Sequence, residues 1–351
     1  MKIVSIVGAR PQFIKLAPIS EKIKKIHDEV IIHTGQHFDS EMSDNFFNEL
    51  GISDPHFNLN INSGLHGEQT GRMIIEIEKV IIRENPSLII VFGDTNSTIA
   101  GALVGSKLQI PIVHIESGLR SFNKKMPEEV NRVVTDHISD YLFAPTPSAV
   151  KNLEDENLSK KCYFTGDIMV DSLKLAIEKT ESCKILEKLK LEKKDYYLLT
   201  LHRPYNVDNP KKLAKILIEL GKLSKQVVFP VHPRTRIIIE KNDLILPKNI
   251  FLSIPLGYLD FVMLQLNSFK IITDSGGIQK EAYILKKPCI TLRSETEWVE
   301  TVQAGWNLLL DPNEDNSIAD HIEAFYPSNT YEHIFGTDVS NNMISLINKI
   351  M

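Results

Sequence analysis

Short apolar runs of four or five residues recur along this 351-residue chain, separated by longer stretches whose apolar side chains fall every three or four positions. The runs at 3–7, 30–33, 88–92, 112–115 and 141–144 form one series, and those at 197–201, 227–231, 250–253, 270–273 and 288–292 a second. Between them lie amphipathic stretches such as TGRMIIEIEKVIIREN, which puts Met73, Ile74, Ile77 and Ile81 on one helix face. A strand that alternates with a helix returns to its own sheet as a parallel βαβ unit. Two series therefore predict two doubly wound α/β domains, in keeping with about one domain per 150 residues. The boundary is expected in the charged segment between about residues 170 and 195.

Composition narrows the partners. Hydrophobic residues make up 42% and charged residues 24%, as in an ordinary globular protein, and the net charge is −5. That balance speaks against a nucleic-acid-binding face, which needs a strongly basic surface. Three widely spaced cysteines with no CxxC pair read as free thiols in a reducing compartment. The apolar start runs into Gly8 too soon for a signal peptide. No apolar run approaches the ~20 residues that span a bilayer. A cytoplasmic protein with no membrane partner is the expectation.

In open parallel sheets, ligands bind at the carboxyl ends of the strands. The residues expected there are Arg10 and Lys15 after the first strand, HTGQH (33–37) after the second, GDTNS with Asp94 after the third, and HIESGLR with Glu116 after the fourth. In the second series they are LHRP with His202, VHPR with His232, and TDSGG with Ser275, Gly276 and Gly277. This concentration of charge, imidazole and glycine predicts one polar site in a cleft between the domains. TDSGGIQKEA on its own is a strand-to-helix turn of a common kind. At a strand end it also offers unpaired helix N–H groups and room for an anion to reach the backbone. A phosphate or diphosphate is the ligand it suits, and Glu281, further along the helix, suits ribose hydroxyls.

Carboxylates form the second constellation. Asp94 and Glu116 at the ends of internal strands need partners or a task. Glu128 and Glu129 follow Pro127, so each has a plainer reading as a first-turn acid that suits the helix dipole. His33, His37, His114 and His232 are considered as metal ligands with Asp94 or Glu116, but no HxH or HExxH spacing supports a metal.

Taken in order, GARPQFIKLAP, TGQHFD, GDTNSTIAGAL, HIESGLRSF, MPEEVNRVVTDHISDYLFAPT, PVHPRTR and TDSGGIQKEA resemble the non-hydrolysing UDP-N-acetylglucosamine 2-epimerases. The resemblance implies the GT-B architecture of two Rossmann-like domains, here 1–172 and 173–335, with a helix at 336–351 crossing back to the first. It implies a UDP-sugar ligand, a homodimer, and neither cofactor nor metal. By the same resemblance Asp94, Glu116 and Glu128 are the essential acids and His202 a further catalytic group. Arg10 and Lys15 lie near the sugar phosphate, and Arg132 is an arginine near the active site. Ser275, Gly276 and Gly277 hold the diphosphate and Glu281 the ribose. His232, at its strand end, joins them as a substrate-binding residue.

The implied chemistry is elimination and re-addition of UDP. The C2 proton is not acidic, so inversion there proceeds through a 2-acetamidoglucal, with acid and base groups on opposite faces and donors for the departing diphosphate. The chain departs from the best-known members. HRRE becomes HRPY with Pro204 and Tyr205, TTERPE becomes SETEWVE (294–300) with Trp298 in place of an arginine, and QHREMLDQ becomes QHFDSEMSD, which puts in doubt the second, allosteric UDP-sugar site of bacterial relatives. GARPQF and ETEWVE resemble the branch that converts UDP-2,3-diacetamido-2,3-dideoxyglucuronate to its mannuronate epimer. That is the expected activity, with UDP-GlcNAc epimerisation as the alternative. Arg120, Lys124, Lys125 and Arg132 are candidate cations for the sugar carboxylate. A hydrolysing epimerase, a GT-B glycosyltransferase and a non-catalytic UDP-sugar sensor are the rivals.

Overall fold

The computed structural model describes residues 1–36, 49–314 and 317–351. They form two compact units, one of Met1–Leu175 with Ile334–Met351 and one of Ala176–His333.

The first unit is built on strands β1 (Lys2–Val7), β2 (Asp28–His33), β3 (Phe57–Asn58), β4 (Leu88–Phe92), β5 (Ile112–Ile115), β6 (Tyr141–Ala144) and β7 (Cys162–Phe164). They pair in the order β3-β2-β1-β4-β5-β6-β7, all parallel. β4 and β5 are buried along their whole length, which is why they read as continuous apolar runs rather than as alternation. The helix His66–Glu84 buries Met73, Ile77, Val80 and Ile81 against Val4, Ile6, Ile89 and Val91. The helix Arg10–Ile26 contains Pro18, whose missing N–H would orphan the carbonyl of Ile14. The Ser172 hydroxyl donates to that carbonyl at 2.8 Å. The C-terminal helix Val339–Ile350 packs on the same helix, with the His27 ring 2.7 Å from Asn348 Oδ1 and the Asp171 carboxylate accepting from Ser340 N at 2.7 Å.

The second unit has strands β8 (Tyr196–Thr200), β9 (Gln226–Pro230), β10 (Ile250–Ser253), β11 (Lys270–Thr273), β12 (Cys289–Thr291) and β13 (Asn307–Leu309). Their order is β10-β9-β8-β11-β12-β13, again all parallel. Its core joins Leu199, Phe229, Ile272 and Ile290 of the sheet to Leu213, Ile216 and Leu220 of the helix Pro210–Leu220.

All ten expected strands form, with bounds shifted by two residues at most. β3, β7 and β13 were not anticipated, being edge strands of two or three residues, too short to show a period. In both units the sheet grows outward in two directions from a central pair, β1 with β4 and β8 with β11. Such a reversal opens a crevice beyond the strand ends. No helix among the described residues is long and apolar enough to cross a membrane.

Candidate functional site

In the first unit the crevice beyond β1 and β4 is shaped by close backbone approach. A Cβ on Gly8 would lie 2.0 Å from Thr34 Oγ1 and 2.1 Å from Ser97 Oγ, so nothing larger than glycine fits. The buried Gln12 side chain accepts from Gly8 N at 2.7 Å and Ala9 N at 3.0 Å, and donates to Phe92 O at 2.8 Å. It thereby fastens the turn after β1 to the end of β4.

Gly93, at φ +63°, follows β4, and a Cβ there would stand 3.3 Å from both Glu116 Oε2 and Lys15 Nζ. Lys15 and Glu116 form an ion pair beside it, both side chains largely buried. Glu116 itself has φ +71°, a strained setting for a residue with a Cβ, of the kind found at functional sites. Asp94 pairs with Arg132, and its backbone carbonyl accepts from Asn131 Nδ2 at 3.0 Å.

The two first-turn acids of the helix Pro127–Ile138 separate in role. Glu129 is buried and accepts from Ser121 N at 2.9 Å and Phe122 N at 2.8 Å, with Arg132 at 2.6 Å. Burial alone would raise its pKa, but these amides and the guanidinium outweigh it and hold the carboxyl below its usual value. Glu129 shapes the loop. Glu128 is exposed, with no hydrogen-bond or ion-pair partner among the described residues.

Behind this group a row of ionisable side chains runs from the buried His114 out to the surface. His114 is fully buried, with Nε2 2.7 Å from Gly93 O and Nδ1 2.7 Å from Asp136 Oδ1. Asp136 Oδ2 meets Arg120 at 2.7 Å and accepts from Gly118 N at 3.1 Å. Arg120 turns its other edge to Glu156 in two bonds of 2.6 and 2.8 Å, and Glu156 reaches His137 at 3.1 Å. Burial would raise Asp136, yet the bond to His114 and the Arg120 charge keep it below the usual range. Arg120, expected as a candidate cation for a sugar carboxylate, is thus withdrawn from that role, because both its edges are committed and its side chain is almost wholly buried. Arg132 is likewise committed to Asp94 and Glu129. Lys124 and Lys125 remain exposed.

In the second unit the strand ends of β8 and β11 are joined by Asp274, fully buried, which sequence reasoning quoted within TDSGG but gave no role. Its carboxylate accepts from His202 N at 3.1 Å, Arg203 N at 3.0 Å and Asn206 Nδ2 at 3.2 Å, and lies 3.2 Å from His202 Nδ1. In a neutral ring this places the proton on Nδ1 and leaves Nε2 for a ligand. Ser275 stands at the N-cap position of the helix Gly276–Ile284 with no capping bond from its side chain, so the glycine pair opens a helix as expected. A Cβ on Gly276 would strike the Glu297 carboxylate at 2.0 Å, whereas one on Gly277 would meet nothing within 4 Å.

Glu281 is buried and accepts from Gln265 Nε2 at 2.7 Å. His232 lies at the N-terminus of the helix Pro233–Lys241, with Nδ1 accepting from Arg234 N at 3.2 Å and its ring 6.4 Å from that of His202. Burial first, then His202 and Arg234, push its pKa below the usual value, so it is neutral at pH 7. Tyr205 lines a cavity of about 230 Å³ with Lys212, Arg293 and Asp311. Burial pushes its phenol up to about 12, so this wall offers a neutral hydroxyl.

Arg10 is exposed at the first turn of its helix. His33 is buried edge-on to Phe13 at 5.0 Å and accepts from Gly35 N at 3.0 Å, which gives it a structural task in the turn after β2. His37 and the segment QHFDSEMSD from His37 onward lie outside the described residues. Among the described residues no cluster of three or more His, Cys, Asp or Glu could hold a metal ion.

The sequence model of the UDP-N-acetylglucosamine 2-epimerase family matches residues 21–344. A UDP-N-acetylglucosamine 2-epimerase homolog of Methanococcus maripaludis is 53% identical over 96% of each chain. The UDP-2,3-diacetamido-2,3-dideoxy-D-glucuronate 2-epimerase of Pseudomonas aeruginosa is 47% identical over 90% of each. The solved UDP-GlcNAc 2-epimerase of Methanocaldococcus jannaschii, in complex with UDP-GlcNAc and UDP, superposes with a TM-score of 0.88 at 44% identity, covering both chains fully. The fold is therefore GT-B, and the chain belongs to the UDP-N-acetylglucosamine 2-epimerase family of isomerases.

Proposed function

We propose that this protein inverts C2 of a UDP-2-acetamido sugar without net hydrolysis. The observation that carries the reading is the grouping of Asp94 and Glu116 about the Gly93 peptide, paired with Arg132 and Lys15 respectively, with Glu128 exposed on the neighbouring helix. One carboxylate takes the C2 proton. The C–H electron pair forms the C1–C2 double bond, and the C1–O bond breaks with its electrons leaving on UDP. A second acid returns a proton to the opposite face of C2 as the diphosphate oxygen re-adds to C1. Ser275, Gly276 and Gly277 receive the diphosphate on helix N–H groups, Glu281 the ribose, and His202 with its free Nε2 the departing charge. His232 donates from Nε2, since its Nδ1 is already an acceptor. Arg10 serves the sugar phosphate. Incubation with the UDP-sugar in deuterium oxide tests the reaction. Deuterium at C2 with UDP still attached is the expected result, and stoichiometric free UDP would establish hydrolysis instead.

The glycine turn offers a clean variant. A Cβ at Gly277 meets no protein atom within 4 Å, so Gly277→Val should fold, and its branched side chain fills the space an anion needs. UDP affinity by calorimetry should fall at least about tenfold, or roughly 1.4 kcal/mol. Unchanged affinity in the folded variant would leave the turn purely structural.

For the sugar we propose UDP-2,3-diacetamido-2,3-dideoxyglucuronate. Its support is the resemblance at GARPQF and at ETEWVE, which contains Trp298, and the kinship with the Pseudomonas enzyme. With Arg120 and Arg132 committed, Lys124 and Lys125 are the cations of this loop left for the C6 carboxylate. The likeness to the solved Methanocaldococcus enzyme favours UDP-GlcNAc as the second reading. Side-by-side kinetics should give kcat/KM at least about tenfold higher for the diacetamido sugar, roughly 1.4 kcal/mol of differential transition-state binding. Equal or better turnover of UDP-GlcNAc would reject this substrate and leave the epimerase reading standing.

A further inference from the structure

Both ring nitrogens of His114 face acceptors. The Gly93 carbonyl 2.7 Å from Nε2 has no hydrogen to give, so Nε2 carries a proton. At Nδ1 the partner is Asp136 Oδ1, and a proton lies between them on one atom or the other. The second oxygen of Asp136 faces the Arg120 guanidinium at 2.7 Å and the Gly118 amide, two donors that stabilise the ionised carboxylate.

We propose that His114 is held as an imidazolium and is a positioning residue for the proposed epimerisation, acting on Asp94 and Glu116 through the Gly93 carbonyl. The inference rests on the catalytic reading above for its consequence and on geometry for the charge. Gly93 is the residue through which the ring acts on both acids. Its N–H donates to Ile115 O at 2.9 Å, and its carbonyl belongs to the peptide that leads into Asp94. Its Cα faces the Lys15–Glu116 pair. A charged donor on that carbonyl fixes the peptide plane, and with it the direction in which Asp94 leaves the strand and the floor on which Glu116 rests.

The surrounding charges alternate. Behind the ring stand Asp136, Arg120, Glu156 and the exposed His137. In front stand Lys15–Glu116 and Asp94–Arg132. Cys162, which senses Asp136, stays neutral because burial pushes its thiol up to about 11. Each cation among them is thus paired with a carboxylate.

Nitrogen-15 NMR of the histidine-labelled protein tests the charge without any substrate. At about pH 8, where an ordinary histidine of pKa ~6.5 is neutral, one ring should retain protons on both nitrogens, and that signal should vanish in His114→Gln. A His114 ring protonated on one nitrogen only overturns the inference. The role is read separately by kinetics. His114→Gln should lower kcat by about 10- to 100-fold through misplacement of the acids, with KM and UDP affinity within about twofold of wild type. Unchanged kcat, or a loss confined to KM, overturns it.

Should His114→Gln not fold, Asp136→Asn keeps the shape and removes the counter-charge. The ring should then lose its second proton at about pH 8, and kcat should fall with it. A ring that stays doubly protonated, or a kcat that does not fall, counts against the inference. An inactive wild type would sink the catalytic reading and the positioning role together, whereas a neutral His114 in an active wild type overturns this inference alone.

Discussion

Glu116→Gln, Asp94→Asn and Glu128→Gln should each lower turnover by about two to four orders of magnitude, the span of a lost general acid or base. The three differ in what they do to the fold, and that difference separates chemistry from damage. Glu128 is exposed near the start of the helix Pro127–Ile138 and has no partner among the described residues, so its variant should unfold within about 0.5 kcal/mol of wild type. Asp94→Asn leaves Arg132 its bond to Glu129 at 2.6 Å, so no guanidinium is stranded. Glu116→Gln leaves the left-handed backbone at position 116 unchanged, because both side chains carry the same Cβ, but removes the charge that faces Lys15. Rates of deuterium entry at C2, measured beside thermal unfolding, decide the matter. Near-normal exchange in all three variants would remove the carboxylates from the mechanism.

The parts of the site legible in the sequence are those that follow a strand immediately. A buried parallel strand announces itself as an unbroken apolar run, and the polar residue ending it must lie at the sheet edge, as Asp94, Glu116 and Ser275 do. What the sequence hides is pairing across distance. His114 and Asp136 are 22 positions apart, and Arg120 and Glu156 are 36 apart, with no period to connect them. Arg120 looked like a member of the basic loop that contains Lys124 and Lys125, because composition cannot tell a solvated cation from one with both edges bonded. Gln12 and Asp274 stood inside quoted motifs, but their task is to bind the amides of neighbouring turns. Only coordinates show which amides lack other partners. The short edge strands β3, β7 and β13 escaped for a different reason, since two or three residues carry no readable alternation.

Arg120→Met should be the most destabilising of these substitutions. Methionine fills much of the volume, so the principal loss is electrostatic. Asp136, fully buried, would keep only His114 and the Gly118 amide, while Glu156 is partly exposed and regains water. Removing one partner from a buried charge network costs about 3–5 kcal/mol, because one carboxylate oxygen loses its counter-charge where no solvent replaces it. That corresponds to a fall of roughly 6–20 °C in the Tm of this unit. The acid dependence follows from the direction of the shifts. The hydrogen bond from Arg120 holds Glu156 below its usual pKa, and Asp136 is held low against its burial by His114 and Arg120. A carboxylate depressed in the folded state contributes stability that is fully present above its unfolded value, about 3.9 for Asp and 4.3 for Glu. That contribution is lost as the pH falls from there through the lower folded value. The difference in unfolding free energy between wild type and Arg120→Met should therefore be widest at neutral pH and narrow by about pH 3, as the wild type loses what the variant never had. Urea unfolding at the two pH values measures it. A difference under about 1 kcal/mol at pH 7 would mean that the buried guanidinium is no more than a packed side chain, and a difference that stays constant down to pH 3 would mean that its contribution is steric.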